Sequence, residues 1–335
     1  MNLIGNYFVE LYRATISGWN RFWFTAVDPA TLGLVRLLAG AMLFYTHLVW
    51  SIDLEGFFGQ SGWQTPSALV HYQESPYAWS YLFWIKSPAL LWTAHIVALV
   101  ILFLFFIGWQ SRIMAVLAFV ITLAYAQRVS MANFGLDNIN EMLAMYLMLG
   151  PCGAAFSVDS WLKRRREQRA EQGRGGDASS VTPSVSGNIA IRLIQLHMCV
   201  IYLFAGLGKV MGASWWDGTA MWLSIANLEY QTIDATFLAN WPVFLSFVAH
   251  LTVAWELSYC VLVWPRLTRP LVLALAVPLH LGIALFLGMI TFGLVMLIGN
   301  LAFVSPWLVR YLFDRKRSTE IVRGLPRRSP EPVAS

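Results

Sequence analysis

An all-α, polytopic membrane bundle of about eight crossing helices is the fold class predicted by this sequence, and three observations predict it. First, 58% of the 335 residues are apolar and only 12% charged, against roughly 45–50% and about 25% in soluble domains. Second, the apolar residues gather into stretches near the ~20 residues that one bilayer crossing requires. Third, Lys and Arg concentrate in alternate connections, the asymmetry that orients a membrane chain. The first observation excludes a soluble enzyme. Disorder is excluded by 16 Trp, 12 Tyr and 21 Phe, which a solvated coil does not carry.

The elements follow in chain order. Residues 1–28 open on an amphipathic run, 6–13, rather than a cleavable signal peptide. Phe8, Tyr12, Trp19 and Trp23 recur at helical spacing with Arg13 and Arg21 between them, so this segment is expected to lie in the inner membrane interface. A transmembrane domain over 29–308 then holds eight apolar segments: 32–50, 88–107, 112–127, 139–156, 189–208, 243–264, 271–287 and 289–307. The third and seventh are short for a ~30 Å hydrocarbon core, which gives a range of seven to nine crossings. Gly108, Gly150-Pro151, Pro265, Pro270, Gly288 and Pro306 punctuate the joints. Residues 163–188 read as a cytoplasmic linker, flexible where Gly and Ser dominate from 171 to 186. Residues 309–335 read as a basic cytoplasmic tail.

Orientation rests on the basic residues. Six Lys and Arg lie within 163–174 and seven within 310–328, while Asp53, Glu55, Glu74, Asp217, Glu229 and Asp234 occupy the opposite loops. Eight crossings with both termini cytoplasmic satisfy every connection. The net charge of +5 is therefore a positive-inside bias, with some attraction to anionic lipid head groups. The bilayer is the expected partner; nucleic acid is not. Cys152, Cys199 and Cys260 are scattered through apolar stretches with no C-x-x-C and read as small buried hydrophobes.

An ionisable residue inside a span costs several kcal/mol and is a functional candidate. The candidates are Arg36, His47, His95, Glu141, Arg192, His197, Lys209, His250, Glu256 and His280. Arg36 and Arg192 lie near the inner boundary and are expected to snorkel to phosphates. His95 reads as a satisfied structural histidine. Glu256, midway along its segment, needs a cation or a proton, with Arg192, Lys209 and His197 as candidates. No H-E-x-x-H, paired C-x-x-C, Gly-rich phosphate loop or G-x-S-x-G occurs, so no metal or nucleotide is expected.

The densest constellation runs from Gln195 to Met221. On a helix, Tyr202, Ala205, Gly206 and Lys209 share one face at three- and four-residue steps. Gly206 and Gly208 would let a second backbone approach closely. An aromatic, acid-bearing loop with Trp215, Trp216 and Asp217 follows. A small-residue face, one Lys and an aromatic lid suit a flat apolar ligand; the plainer reading is a snorkelling Lys beside a packing glycine.

The stretch Ala205-Gly206-x-x-Lys209, then Trp215-x-Asp217-Gly218-x-Ala-Met221, resembles the vitamin K-dependent γ-glutamyl carboxylase family and its membrane module, the HTTM domain. Asn138-Ile-Asn140, leading through Gly150-Pro151 to Ser157-Val158-Asp159, and His280-Leu281 with Gly288-Met289 resemble it too. The resemblance implies that Lys209 is a general base on a vitamin K-type hydroquinone, phylloquinol or menaquinol, with O₂ and CO₂ as co-substrates. Quinol oxidation to the epoxide would drive carboxylation, a lyase-type activity. The quinone pocket implied comprises Tyr202, Gly206, Trp215, Trp216, Asp217, His280, Asn138 and Asn140, on the outer face. Such a base needs an uncharged amine, which desolvation can supply; a Lys209 in contact with Asp217 would stay charged. Two departures stand out: Gly208-Lys209 where the family has a double Lys, and Asn138-Ile139-Asn140 where it has an Asn-Asn-His-type run. The sequence also holds no counterpart of the family's second lumenal domain, so the protein substrate or partner subunit is unspecified. The alternative is a non-catalytic quinone- or lipid-binding protein of the same fold. Transport ranks last, because no internal repeat is visible.

Overall fold

The computed structural model describes residues 3–72, 79–171, 182–229 and 231–313, which are helix and turn apart from one bridge between Val27 and Ser184. The expected sites at Glu74, in the Gly/Ser linker over 172–181 and in the basic tail beyond Phe313 lie outside the described residues. In chain order the helices are α1 Leu3–Phe24, α2 Ala30–Trp50, α3 Leu54–Phe58, α4 Pro66–Tyr72 and α5 Pro88–Ile107. Then come α6 Ser111–Arg128, α7 Gly135–Leu147, α8 Val158–Glu171, α9 Val185–Val210 and α10 Ala213–Trp216. The series ends with α11 Ala220–Ile225, α12 Pro242–Leu262, α13 Arg269–Phe286, α14 Ile290–Asn300 and α15 Pro306–Phe313.

Local chemistry sets these limits. Ser87 caps α5 by accepting from the Leu90 amide, Pro88 supplies the first turn, and Gly108 stops the helix at φ 73°. That is the usual Ser, Pro and left-handed Gly punctuation of a helix. Ser184 caps α9 in the same way through the Gly187 amide. Pro278 lies inside α13, where its ring removes a donor and loosens the turn just before His280.

Among the described residues six helices are long and apolar enough to cross a bilayer, or seven if the bent pair at the end is one span: α2 continued through α3, then α5, α6, α9, α12 and α13. The segments read as short at positions 112–127 and 271–287 are both 18-residue helices. Two other expected crossings are different. α7 has 13 residues, about 20 Å at 1.5 Å per residue, because Gly150-Pro151 and Gly153 turn the chain instead of extending it. The last segment continues from α14 through a tighter turn at Leu301–Phe303 and breaks between Phe303 and Pro306, where α15 leaves at 113° to it. The expected linker is also helical over its first part, as the C-terminal portion of α8.

The bundle packs in two groups of four, α2/α5/α6/α7 and α9/α12/α13/α14, which meet where α14 and α9 touch α2 and α7. One continuous apolar core runs through both, from Leu32 and Phe105 to Tyr259 and Phe303. Here the expectation for Arg36 is overturned. It is 0% exposed, and its guanidinium donates to the carbonyls of Phe105, Phe106, Ala155 and Phe156. These carbonyls close the ends of α5 and of the 150–156 turn, so the cation serves as a cap between elements rather than reaching for phosphate. Arg128 does the same at the opposite end of the bundle, donating to Phe58, Gly59 and Gln64 carbonyls. Arg192 packs 4.4 Å above the Phe22 ring, which together with Asn188 fastens α1 to α9.

Candidate functional site

α9 packs against α12, and Gly206 is a point of close approach between them. A Cβ there would stand 3.0 Å from Leu257 and 3.2 Å from the Glu256 Cβ. The missing side chain lets α9 approach α12 and carries Lys209, one turn on, over Glu256. Gly208 takes no part in this contact, since nothing lies within 4 Å of its Cβ position. The two-glycine interface expected from sequence is therefore a one-glycine interface, because Gly208 faces away from α12.

Lys209 Nζ lies 2.9 Å from Glu256 Oε1, which accepts its hydrogen bond, and 2.8 Å from Oε2. The two side chains are 23% and 11% exposed, so the pair sits within the bundle wall. Oε2 is an ion-pair contact at an angle that makes no hydrogen bond, and its lone pairs stay open. Of the three partners considered for Glu256, Lys209 is the one it takes. His197 bonds Tyr146, and Arg192 bonds Gln195 and the Phe22 carbonyl.

Two turns below Lys209, Tyr202 links three helices. Asn300 Nδ2 donates to the Met296 carbonyl and to the Tyr202 hydroxyl at 2.7 Å, while Asn300 Oδ1 accepts from Tyr259 at 2.7 Å. That orientation leaves the Tyr202 proton for His280 Nε2, 2.7 Å away. The ring proton of His280 must then reside on Nδ1, which is buried and has no acceptor among the described residues. The cluster thus holds a cation, an open carboxylate acceptor at Glu256 and an open N–H donor at His280. Trp255 and Tyr259 pack on the Tyr202 ring with centroids 4.8 and 4.2 Å away.

The loop after α9 folds over this end. Lys209 Nζ is 5.2 Å from the centre of the Trp215 ring. Gly218 has φ 80°, and a Cβ on it would meet Ser246 Oγ at 2.0 Å, so the loop presses directly on α12. His250 faces the Trp216 carbonyl at 3.1 Å. Asp217 does not meet Lys209. It accepts from the amide and hydroxyl of Thr219 at 2.9 and 2.6 Å, and those bonds hold its fully exposed carboxyl below the usual value. The decisive partner of Lys209 is Glu256, 47 positions on, which spacing in the sequence could not single out. Trp216 is 65% exposed and donates to the Val210 carbonyl.

Asn138 and Asn140 are placed differently. Asn138 is exposed. Asn140 lines a chamber between α2, α6 and α7, together with His47, Trp50, Tyr125 and Asp137. None of its lining residues belongs to the Lys209 cluster. His95, expected to be satisfied, is so: Ser51 and Tyr125 hydroxyls lie 2.8 Å from its two nitrogens. No group of three His, Cys, Asp or Glu able to hold a metal occurs among the described residues.

Comparison with known proteins adds one finding. No curated protein and no solved structure matches the chain. The HTTM domain, however, matches across residues 24–307, a span that contains α2 to α14 and both clusters described above. The chain accordingly belongs to the HTTM domain family, the membrane module of the vitamin K-dependent carboxylases.

Proposed function

We propose that this chain is a carboxylase-like membrane enzyme that oxidises a vitamin K-type hydroquinone, phylloquinol or menaquinol, at the Lys209–Glu256 pair. The pair itself carries the reading: an ion pair set in a bundle wall, one of whose carboxylate oxygens makes no hydrogen bond, in a cluster with a His280 N–H that has no acceptor among the described residues. A phenolic hydroxyl donates and accepts at once, which fits Glu256 Oε2 and His280 Nδ1–H. When bound, a hydroquinone supplies electrons to O₂ and the basicity that carboxylation with CO₂ demands.

The pairing changes the role expected of Lys209. An ammonium in contact with both oxygens of a carboxylate has no lone pair to take a proton. Glu256 Oε2 has one. We assign the proton to Glu256, and to Lys209 the stabilisation of the phenolate charge left behind. Total charge in the site is then unchanged: the carboxylate is neutralised as the phenolate appears, and the ammonium exchanges one anion for the other. In a water-poor setting such a fixed cation is worth far more than in bulk water. Tyr202 holds the His280 ring so that Nδ1–H remains the donor. Trp215 and the loop over α12 shield the pair from water. The site would open at the end of the bundle away from the basic linker, the outer face under the positive-inside assignment, with both termini cytoplasmic.

The test is aerobic turnover of menaquinol and phylloquinol by purified protein in phosphatidylcholine nanodiscs, followed as epoxide. Wild type forms epoxide; Glu256→Gln and Lys209→Met each lower the rate by about 10²–10⁴-fold, the span of general acid–base catalysis. No epoxide from wild type, or unchanged rates in both variants, overturns the proposal. Quinol that binds without turnover selects the second reading, a non-catalytic quinone- or lipid-binding protein, which the stable ion pair and the Asn at position 140 favour.

A further inference from the structure

The second chamber, between α2, α6 and α7, has a chemistry of its own. His47 Nδ1 lies 2.8 Å from the Leu43 carbonyl of its own helix and so carries the ring proton. Its Nε2 is a bare acceptor, and it is buried without a partner among the described residues. Asn140 Oδ1 is a second buried acceptor without a partner. The two side chains are 3% and 2% exposed, and both residues line the chamber. Asp137 lines it as well. Its Oδ2 accepts the Phe134 amide to cap α7, and no cation pairs with it among the described residues. Trp50 and Tyr125 supply aromatic walls, and the His47 and Tyr125 ring centres are 4.7 Å apart.

Two orphaned acceptors, an unneutralised carboxylate and aromatic faces all ask for the same complement: a cation rich in N–H donors. Neither Lys nor Arg lines the chamber. Arg128 lies next in sequence to lining residue Val129; its two terminal nitrogens donate to the Phe58, Gly59 and Gln64 carbonyls, its Nε–H has no acceptor among the described residues, and the residue does not line the chamber. A metal ion is a poor match, because one His and one Asp with an amide fall short of a ligand set. The space, about 20 Å³, takes a group the size of a water molecule, and an ammonium is of that size.

We propose that this chamber is a binding site for a small ammonium group, hydrogen-bonded to His47 Nε2 and Asn140 Oδ1 and neutralised by Asp137. The ammonium could arrive as a free primary amine or as the head group of an ethanolamine lipid. The chemistry is shared, and the source is separable by experiment. The site is independent of quinol chemistry at Lys209, so failure of turnover leaves it standing.

The experiment uses the full chain, labelled with ¹⁵N-histidine, in phosphatidylcholine nanodiscs and amine-free buffer. Ethanolamine and ammonium chloride are titrated against choline and potassium chloride; choline carries the same charge without N–H donors. The expected result is a saturable shift of the unprotonated His47 nitrogen with ethanolamine and ammonium but not with the controls. His47→Gln assigns the resonance by its disappearance. Asp137→Asn, which is nearly isosteric, weakens ethanolamine binding at least ten-fold, and so does Asn140→Leu. If phosphatidylethanolamine in the disc produces the shift and abolishes the response to added ethanolamine, the lipid head group is the occupant. If it changes nothing, the free amine is. A His47 nitrogen that ignores every amine, or that responds equally to choline, overturns the proposal, and both outcomes are read on wild-type protein.

Discussion

The two halves of the bundle treat buried polarity in opposite ways. Around Lys209 the charges are matched within the protein, and Tyr202, His280, Asn300 and Tyr259 satisfy one another except at two atoms, Glu256 Oε2 and His280 Nδ1. Around His47 the chamber holds two buried acceptors without a partner, its Thr46, Thr122 and Asn133 donors are spent on backbone carbonyls, and its carboxylate pairs with no cation among the described residues. A self-neutralised site loses little by standing empty and can hold a neutral ligand. A site with two unpartnered acceptors and an unpaired carboxylate is electrostatically incomplete, and a cationic donor would relieve it. The same helical scaffold thus holds two buried polar clusters of different character.

The contrast can be broken most severely at the ion pair. Lys209→Met should cost about 3–5 kcal/mol in unfolding free energy, because it strands a buried carboxylate. The double variant Lys209→Met/Glu256→Leu should recover most of that loss, as measured by denaturant titration in detergent. His47→Leu removes an acceptor that has no partner, so it should stay within about 1 kcal/mol of wild type. Equal costs for Lys209→Met and His47→Leu would erase the difference between the halves.

Smaller effects sharpen the picture. Tyr259→Phe takes the donor from Asn300 Oδ1 and should cost about 1–3 kcal/mol, the price of one unsatisfied buried acceptor. Gly206 and Gly208 of α9 should respond with opposite signs. Gly206→Ala pushes a methyl to 3.0 Å from Leu257 and should destabilise by about 1–3 kcal/mol. Gly208→Ala meets nothing and should stabilise by roughly 0.5–1 kcal/mol through helix propensity. Thermal unfolding of both variants checks the pair; a loss at each would mean that Gly208 also packs.

The smallest effect belongs to Asp217. Thr219 lowers its carboxyl from the ordinary value, near ~3.9 in an unfolded chain. Its contribution is therefore complete at neutral pH and is lost only as pH falls below that value. Asp217→Asn should lower stability slightly and by the same amount from pH 6 to pH 8, with the difference from wild type closing only in acid, and should not touch quinol turnover. A turnover defect in this variant would return Asp217 to the site.

Much of this was legible in the residues. Helix class, span positions and the Lys209 constellation follow from composition, 3.6-residue periodicity and local caps, all of which act over a few residues. Glu256 was visible as a buried acid in need of a cation, and three candidate partners could be named for it. Choosing Lys209 among them depended on the α9–α12 crossing at Gly206, and nothing in local spacing encodes that crossing. Arg36 misled for the same reason: a cation near a helix end can reach lipid or carbonyls, and the deciding carbonyls lie about 70 and 120 positions away. Asn140 and His47, 93 positions apart, come together only through packing of α2 against α7.

The membrane bundle itself was thus written into the order of the amino acids, since hydrophobicity and helix capping are properties of a stretch of chain and need no distant partner. Which ionisable groups neutralise each other, and which are left open to a ligand, was settled by folding. Electrostatic and hydrogen-bond energies depend on distances of about 3 Å between side chains, and those distances exist only once the helices have packed.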